Sequence, residues 1–342
     1  MINLKDLTIN ELEDFFQQQG EKKFRAKQVF SWIYRGARSF EEMTDLSKGL
    51  RQALSQRAEL DSLRILRVQK SGKDGTRKYL LGLADGNTIE SVFMKYKYGN
   101  SICVSSQAGC RMGCRFCASG MDGLKRNLTP GEIADQILTI ERDTGETINH
   151  VVVMGTGEPF DNYDNLLKFI RNIHEKEGLN ISLRNITVST CGLVPKIREF
   201  AEDMKQVNLA VSLHSADDGT RQSMMPINKS YPVDQLLAAC RRYTEETGRR
   251  ITFEYALVKG KNDTKEQIDL LAGKLKGMLC HVNLIPLNEV RESGLYGSNR
   301  KQALEIAAYL EARGIPATVR RELGADIDAA CGQLRLGELE KF

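Results

Sequence analysis

The run Cys110-Arg111-Met112-Gly113-Cys114-Arg115-Phe116-Cys117 constrains this chain more than any other stretch, because it sets three cysteines on one loop in the spacing C-x3-C-x2-C. Three thiolates so placed can hold three irons of a cubane cluster and leave the fourth iron open. Electron-transfer clusters use a fourth cysteine, and structural zinc sites close with four protein ligands. The run contains no histidine, and Cys103 lies seven residues upstream in a strand-like stretch. An open metal corner is what an enzyme needs when a substrate must bind the metal. The bland alternative is a zinc knob completed by a distant ligand.

The other cysteines are Cys103, Cys191, Cys240, Cys280 and Cys331. An even count suits a disulfide framework in a secreted protein. The start Met1-Ile2-Asn3-Leu4-Lys5-Asp6, however, lacks the basic-then-apolar shape of a leader, so the expected location is the cytoplasm, where disulfides are rare. No apolar run approaches the ~18 residues of a membrane helix. With 342 residues, 41% hydrophobic and 27% charged, the chain suits one large core with a small accessory domain. Its net charge of +4 points only weakly to nucleic acid, and clustering matters more.

Residues 1–57 read as a helical accessory domain. Thr8-Ile9-Asn10-Glu11 is a capping box, Gly20 a stop, and a second helix draws its apolar side from Phe24, Val29, Phe30, Trp32 and Ile33. Lys22, Lys23, Arg25, Lys27, Arg35 and Arg38 crowd this segment, which fits either a solvated face or a grip on RNA phosphates. Residues 58–100 read as an antiparallel hairpin region turning at Asp74-Gly75, Asp85-Gly86 and Gly99-Asn100, and carrying Glu90. Residues 101–342 then alternate strand and helix. Strand-like runs at 101–105, 150–154, 186–189, 207–213, 251–258 and 281–285 predict six parallel strands, and Thr129-Pro130-Gly131-Glu132 opens a capped helix. The expected fold is α/β, a partial (β/α)6 barrel whose site lies at the strands' C-terminal ends.

The cysteine spacing, with an aromatic residue just before Cys117, resembles the radical-SAM superfamily. The resemblance implies a [4Fe-4S] cluster on Cys110, Cys114 and Cys117, whose open iron binds S-adenosylmethionine (SAM). Met154-Gly155-Thr156-Gly157-Glu158-Pro159, at a strand end some forty residues on, resembles that superfamily's glycine–glutamate motif, where Gly157 permits close approach and Glu158 faces the SAM amino group.

Nearly the whole chain resembles one subgroup, the RlmN-type adenine-C2 methyltransferases. The matches are Cys103-Val104-Ser105-Ser106-Gln107, Ser189-Thr190, Ser212-Leu213-His214, Asn283 to Asn288, and Asp326 to Leu334 around Cys331. Phe24-Arg25-Ala26-Lys27-Gln28 and Trp32 match as well. Taken singly, strand-end Ser and Asn residues are ordinary turn residues. The resemblance assigns Ser189, Ser212, Leu213, His214 and Asn288 to SAM. It also implies a chemistry. Carbon 2 of adenine is not nucleophilic, so Cys331 takes a methyl group from one SAM. A radical from a second SAM then activates that S-methyl group for addition to the base. Glu90 accepts the C2 proton, and Cys103 attacks the Cys331 sulfur, releasing product and leaving a Cys103–Cys331 disulfide for cellular reductants. Cys331 sits among small residues, Ala329-Ala330-Cys331-Gly332, which suits a mobile loop. Cys191, Cys240 and Cys280 read as buried hydrophobes, and Glu90 has the alternative of an exposed strand carboxylate.

The implied partners are 23S rRNA and tRNA, with a reductant such as flavodoxin or ferredoxin; a monomer and no membrane are expected. Arg320 and Arg321 are candidates for phosphate contacts. Thr156 and Cys191 depart from the commoner family residues without an expected change of reaction. The Cfr-type sister enzymes, which methylate C8, share the cysteines; Gly324-Ala325-Asp326-Ile327-Asp328 and the N-terminal region resemble the C2 enzymes more.

Overall fold

The computed structural model describes residues 1–60, 63–121, 123–287, 294–324 and 326–327. The chain opens with β1 (Ile2–Asn3) and helices α1 (Ile9–Gln18), α2 (Phe24–Tyr34) and α3 (Lys48–Arg57), followed by β2 (Ala58–Glu59), which pairs with β1 in parallel. The Thr8–Glu11 capping box forms, and Gly20 stands at φ +76° just past the helix end. In α2 the buried side is Ala26, Val29, Phe30, Ile33 and Tyr34. Phe24 is instead exposed in the first turn under the Arg25 guanidinium, and Trp32 is half-buried with its indole donating to Asp45 at 2.6 Å.

Strands β3 (Arg64–Lys70), β4 (Arg77–Gly82), β5 (Thr88–Tyr96) and β6 (Gly99–Val104) form the antiparallel meander that the turn residues predict. Asp74 and Asp85 accept from the amides of Thr76 and Asn87, closing Asx turns that let Gly75 and Gly86 take positive φ. A small hairpin, β7 (Gln107–Gly109) with β8 (Leu124–Asn127), then brackets the three-cysteine loop.

From there strands and helices alternate: α4 (Pro130–Thr144), β9 (His150–Val153), α5 (Tyr163–His174), β10 (Ile186–Thr190), α6 (Val194–Asp203), β11 (Asn208–Ser212), α7 (Asp218–Met224), α8 (Val233–Thr247), β12 (Ile251–Leu257), α9 (Lys265–Leu275), β13 (Cys280–Pro286), α10 (Arg300–Glu311) and β14 (Ala317–Val319). The order β14-β13-β12-β11-β10-β9-β6-β5-β4-β3 makes one sheet, parallel from β6 through β14 and antiparallel beyond. All six predicted parallel strands form. β14 adds a seventh, too short at three residues to show a sequence period.

Alternation sorts the strands' two faces. Ile102, Val104, Val151, Val153, Val188, Val211, Phe253 and Leu284 point into the helix-covered core. Cys103, Ser189, Ser212 and Glu254 occupy the opposite, inner face. The N-terminal helices share that core rather than standing apart. Asp135 of α4 anchors them, taking a buried Lys5 ammonium at 2.6 Å and the Leu63 amide at 2.6 Å.

Candidate active site

Cys110, Cys114 and Cys117 line the same cavity as Gly157, Glu158, Ser189, Ser212 and His214, at the C-terminal ends of the parallel strands. The glycine turn is pressed onto the end of β6. A Cβ on Gly157, which stands at φ +109°, would lie 2.6 Å from the Gln107 Cβ. One on Gly155 would lie 2.8 Å from the Ser105 nitrogen. The Thr156 carbonyl accepts from the Ser106 and Gln107 amides at 2.9 and 3.2 Å. The two motifs noted separately in the sequence are therefore one packed unit.

Glu158 hangs from that unit, its amide donating to Gln107 Oε1 at 2.8 Å. Its buried carboxylate accepts from the amides of Phe160 at 3.0 Å and Cys191 at 2.7 Å. Burial raises its pKa against those hydrogen bonds. Cys191 is thus more than the core hydrophobe expected. It is buried, but in the cavity wall, with both backbone groups engaged. Cys240 and Cys280 do belong to the core.

His214 adopts φ +55° and is buried. Its Nδ1 accepts the Ala256 amide at 2.9 Å, which leaves the proton on Nε2, and its ring meets Phe116 edge-on at 4.7 Å. Burial, helped by the Arg221 charge, holds its pKa down to about 3. Leu213 differs from its neighbours: its side chain is in the core, its amide donates to the Glu254 carbonyl at 3.1 Å, and its carbonyl accepts from the Ser215 amide at 2.7 Å. Arg320 lines the cavity, 4.0 Å from the Glu254 carboxylate; Arg321 is exposed. Asn288 and Cys331 lie outside the described residues.

Arg221 escaped the sequence reading. It is fully buried, and its guanidinium donates to the carbonyls of Cys191 at 2.7 Å, Leu213 at 3.0 Å and Ser212 at 3.2 Å, and to Asn228 Oδ1 at 3.0 Å. Asn228 in turn donates to Asp218 at 2.9 Å. One cation thereby ties the ends of β10 and β11 to α7. The end of α7 also seats the cysteine loop, where the Arg115 amide donates to the Met224 carbonyl at 2.9 Å. Met112, Cys114 and Phe116 pack there against Cys191, Met224 and Met225. A single arginine inside a polar stretch after a strand carries no local pattern that marks it.

Burial pushes the Cys110 thiol up to about 12 and raises Cys114 as well, so iron binding at these thiols displaces protons. Among the described residues no three His, Cys, Asp or Glu side chains converge on a single metal position. The three sulfurs line a shared cavity, an arrangement in which each cysteine can take its own iron of a cubane cluster.

The second region is the inner face where β5 meets β6. Cys103 is buried there beside Val92, Met94 and Leu323. Glu90 shares this face, and its alternative as an exposed carboxylate falls away, since it is only 8% exposed and pairs with the Lys78 ammonium at 2.9 Å. No disulfide joins two described cysteines. The expected disulfide is thus no feature of the described residues, and the Cys331 half of the Cys103–Cys331 pair lies outside them.

Residues 2–60 match the ribosomal RNA large subunit methyltransferase N-terminal domain, and residues 104–272 match the radical SAM superfamily. Over 98% of its length the chain is 54% identical to a probable dual-specificity RNA methyltransferase RlmN from Desulforamulus reducens, covering 96% of that protein. The chain belongs to the RlmN family. A relative of the same description from Clostridium perfringens is also 54% identical, over 98% of this chain and 97% of its own. The crystal structure of a radical SAM methyltransferase from Sphaerobacter thermophilus superposes with a TM-score of 0.93 at 47% identity, covering 98% of this chain and 99% of that one. This RlmN-family member is therefore a radical-SAM methyltransferase that uses a [4Fe-4S] cluster and SAM. Among its described residues no helix is long and apolar enough to cross a membrane.

Proposed function

We propose that this enzyme methylates C2 of adenine in 23S rRNA and tRNA, with the methyl group carried on Cys331. The observation that carries the reading is a buried pair, Glu90 and Cys103, on the inner face beside a cavity lined by all three loop cysteines and the glycine–glutamate turn. In this reading Cys110, Cys114 and Cys117 hold the cluster. Gly157, Glu158, Ser189, Ser212, Leu213, His214 and Asn288 hold SAM. When bound, the cluster supplies the electron that cleaves SAM, and SAM supplies both methyl group and radical.

The chain's own residues do the rest. The Cys331 sulfur accepts the methyl group, gives up one of that methyl's hydrogen atoms to the SAM-derived radical, and bonds through the resulting methylene carbon to C2 of the base. Glu90, oriented by Lys78, takes the C2 proton. The Cys103 thiolate then attacks the Cys331 sulfur: a sulfur–sulfur bond forms, the sulfur–carbon bond breaks, and its electron pair stays with the methylene carbon, which takes up a proton to become the product methyl. The base must be unstacked to reach this face. Residues 1–57, with exposed Lys22, Lys23, Lys27, Arg35 and Arg38, are suited to grip phosphates, residues 58–100 supply Glu90, and residues 101–342 hold the cofactors. A flavodoxin or ferredoxin as electron source, a monomeric state and a cytoplasmic location belong to the same reading.

Nucleoside mass spectrometry of RNA treated with the reconstituted enzyme tests it. 2-Methyladenosine is expected; 8-methyladenosine would assign the chain to Cfr-type chemistry, and unmodified adenosine would overturn the reading.

A further inference from the structure

The sheet is open, with β14 at one edge and β3 at the other. After β14 the chain crosses the inner face toward that far edge. The Arg320 amide donates to the Leu284 carbonyl at 2.8 Å, and Leu323 then packs on Cys103, Val92 and Met94. The crossing ends on the turn between β3 and β4. There the Gly324 amide donates to Asp74 Oδ2 at 2.9 Å, while Asp326 accepts from the Ser71 hydroxyl at 2.8 Å and from the Gly72 amide at 3.0 Å. Each side thus supplies a carboxylate to the other, across some 250 residues of sequence. The turn itself needs only one oxygen of Asp74, Oδ1, which takes the Thr76 amide at 3.0 Å.

We propose that this reciprocal clasp, Asp74 and Ser71 on the turn with Gly324 and Asp326 on the crossing strap, is a positioning device that delivers Cys331 to Cys103 and Glu90. The inference rests on the role of Cys331 given above. Cys331 follows Ile327 by four residues, and four extended residues span at most ~14 Å. Holding Leu323, Gly324, Asp326 and Ile327 on the face that carries Cys103 therefore limits how far from Cys103 the Cys331 sulfur can lie. A clasp of three hydrogen bonds near the surface, each individually weak, can also open and re-form within a catalytic cycle. Hydrogen bonds from Thr76, Gly324 and Ser71 outweigh the burial that would raise Asp74 and bring it to about 2, so the latch is charged at neutral pH.

The test uses full-length, cluster-reconstituted enzyme carrying Asp74→Ala, Asp74→Asn, Ser71→Ala or Asp326→Ala. Asp74→Ala and Asp326→Ala are expected to retain cluster absorbance and cleavage of SAM to 5′-deoxyadenosine. Amide exchange across residues 323–327 should accelerate, and kcat for RNA methylation should fall roughly tenfold with little change in KM for RNA. Asp74→Asn, whose one carbonyl oxygen can keep the Thr76 bond of the turn but leaves an amide NH2 where the Gly324 amide needs an acceptor, should lose rate as Asp74→Ala does while the turn stays intact. Ser71→Ala removes one clasp bond together with those its hydroxyl accepts from the Lys73 and Asp74 amides, whereas Asp326→Ala leaves the hydrogen bonds of the turn in place and guards against a variant that fails to fold. Wild-type kcat in Asp74→Ala, or unchanged exchange across 323–327, overturns the clasp. Cys331→Ala separates the two ideas. If it still methylates RNA, the Cys331 reading has failed; if it is inactive while Asp74→Ala works normally, only the clasp has.

Discussion

The parallel half of the sheet, β6 to β14, and the antiparallel half, β3 to β5, share one ladder of hydrogen bonds but use it differently. In the parallel half function gathers at strand ends, where chains turn sharply and backbone groups are free to be organised. Gly157, Glu158, Cys191 and His214 are all fixed there by main-chain hydrogen bonds or close contact. In the antiparallel half function lies on the strand face, and the fixing is done by side chains: Lys78 on Glu90, and Asp74 on the strap. A cofactor cup benefits from a rigid backbone frame. In the proposed reaction, a carboxylate that accepts a proton from an incoming base is better served by a side-chain pair that can adjust.

This contrast breaks if damage to one half produces the other half's defect. The largest effect is expected from Arg221→Met. Removing the buried cation strands three carbonyls and Asn228, at a cost on the order of 5 kcal/mol, and should collapse SAM affinity. Urea denaturation and equilibrium SAM binding measure it. Next comes Lys78→Met, which leaves the Glu90 carboxylate buried without its ammonium and should destabilise by roughly 3 kcal/mol. Here SAM affinity should hold while RNA methylation falls, and adding Glu90→Gln should restore stability but not activity. Gly157→Ala forces a Cβ against Gln107 at positive φ and should cost about 2 kcal/mol together with SAM binding.

The smallest effect concerns His214, neutral when folded but protonated below its ordinary value of 6.5 when unfolded. The unfolded state binds more protons throughout pH 3 to 6.5, so stability rises with pH across that window. About 1 kcal/mol should be lost as pH falls from 6.5 to 5.5. His214→Asn should flatten that part of the stability curve, as measured by denaturation at each pH.

The parallel half was the more legible in sequence. Its strands are continuous apolar runs, and its chemistry is written as short local motifs whose residues act where they stand. The cysteine loop, the glycine–glutamate turn and the Ser212–His214 strand end all follow that rule. Even there Arg221 stayed hidden, because three of its partners are backbone carbonyls from two separate strand ends, and a carbonyl leaves no trace in sequence. In the antiparallel half the Asp-Gly turns announced the hairpins, since they depend on adjacent residues. The Lys78–Glu90 pair and the Asp74–Gly324 bond depend on strand register and on a crossing that starts at the far edge of the sheet, so neither could be read locally. Phe24 was misplaced for a related reason: helix position and apolarity do not say which face a neighbouring segment will cover.

The covalent relay between Cys331 and Cys103 is tested most directly by trapping it. Cys103→Ala enzyme, reconstituted and incubated with SAM, reductant and substrate RNA, should accumulate a nuclease-sensitive protein–RNA adduct whose link maps by mass spectrometry to Cys331. The double variant Cys103→Ala, Cys331→Ala should form none. Release of methylated RNA by the Cys103→Ala enzyme with no adduct would contradict the account.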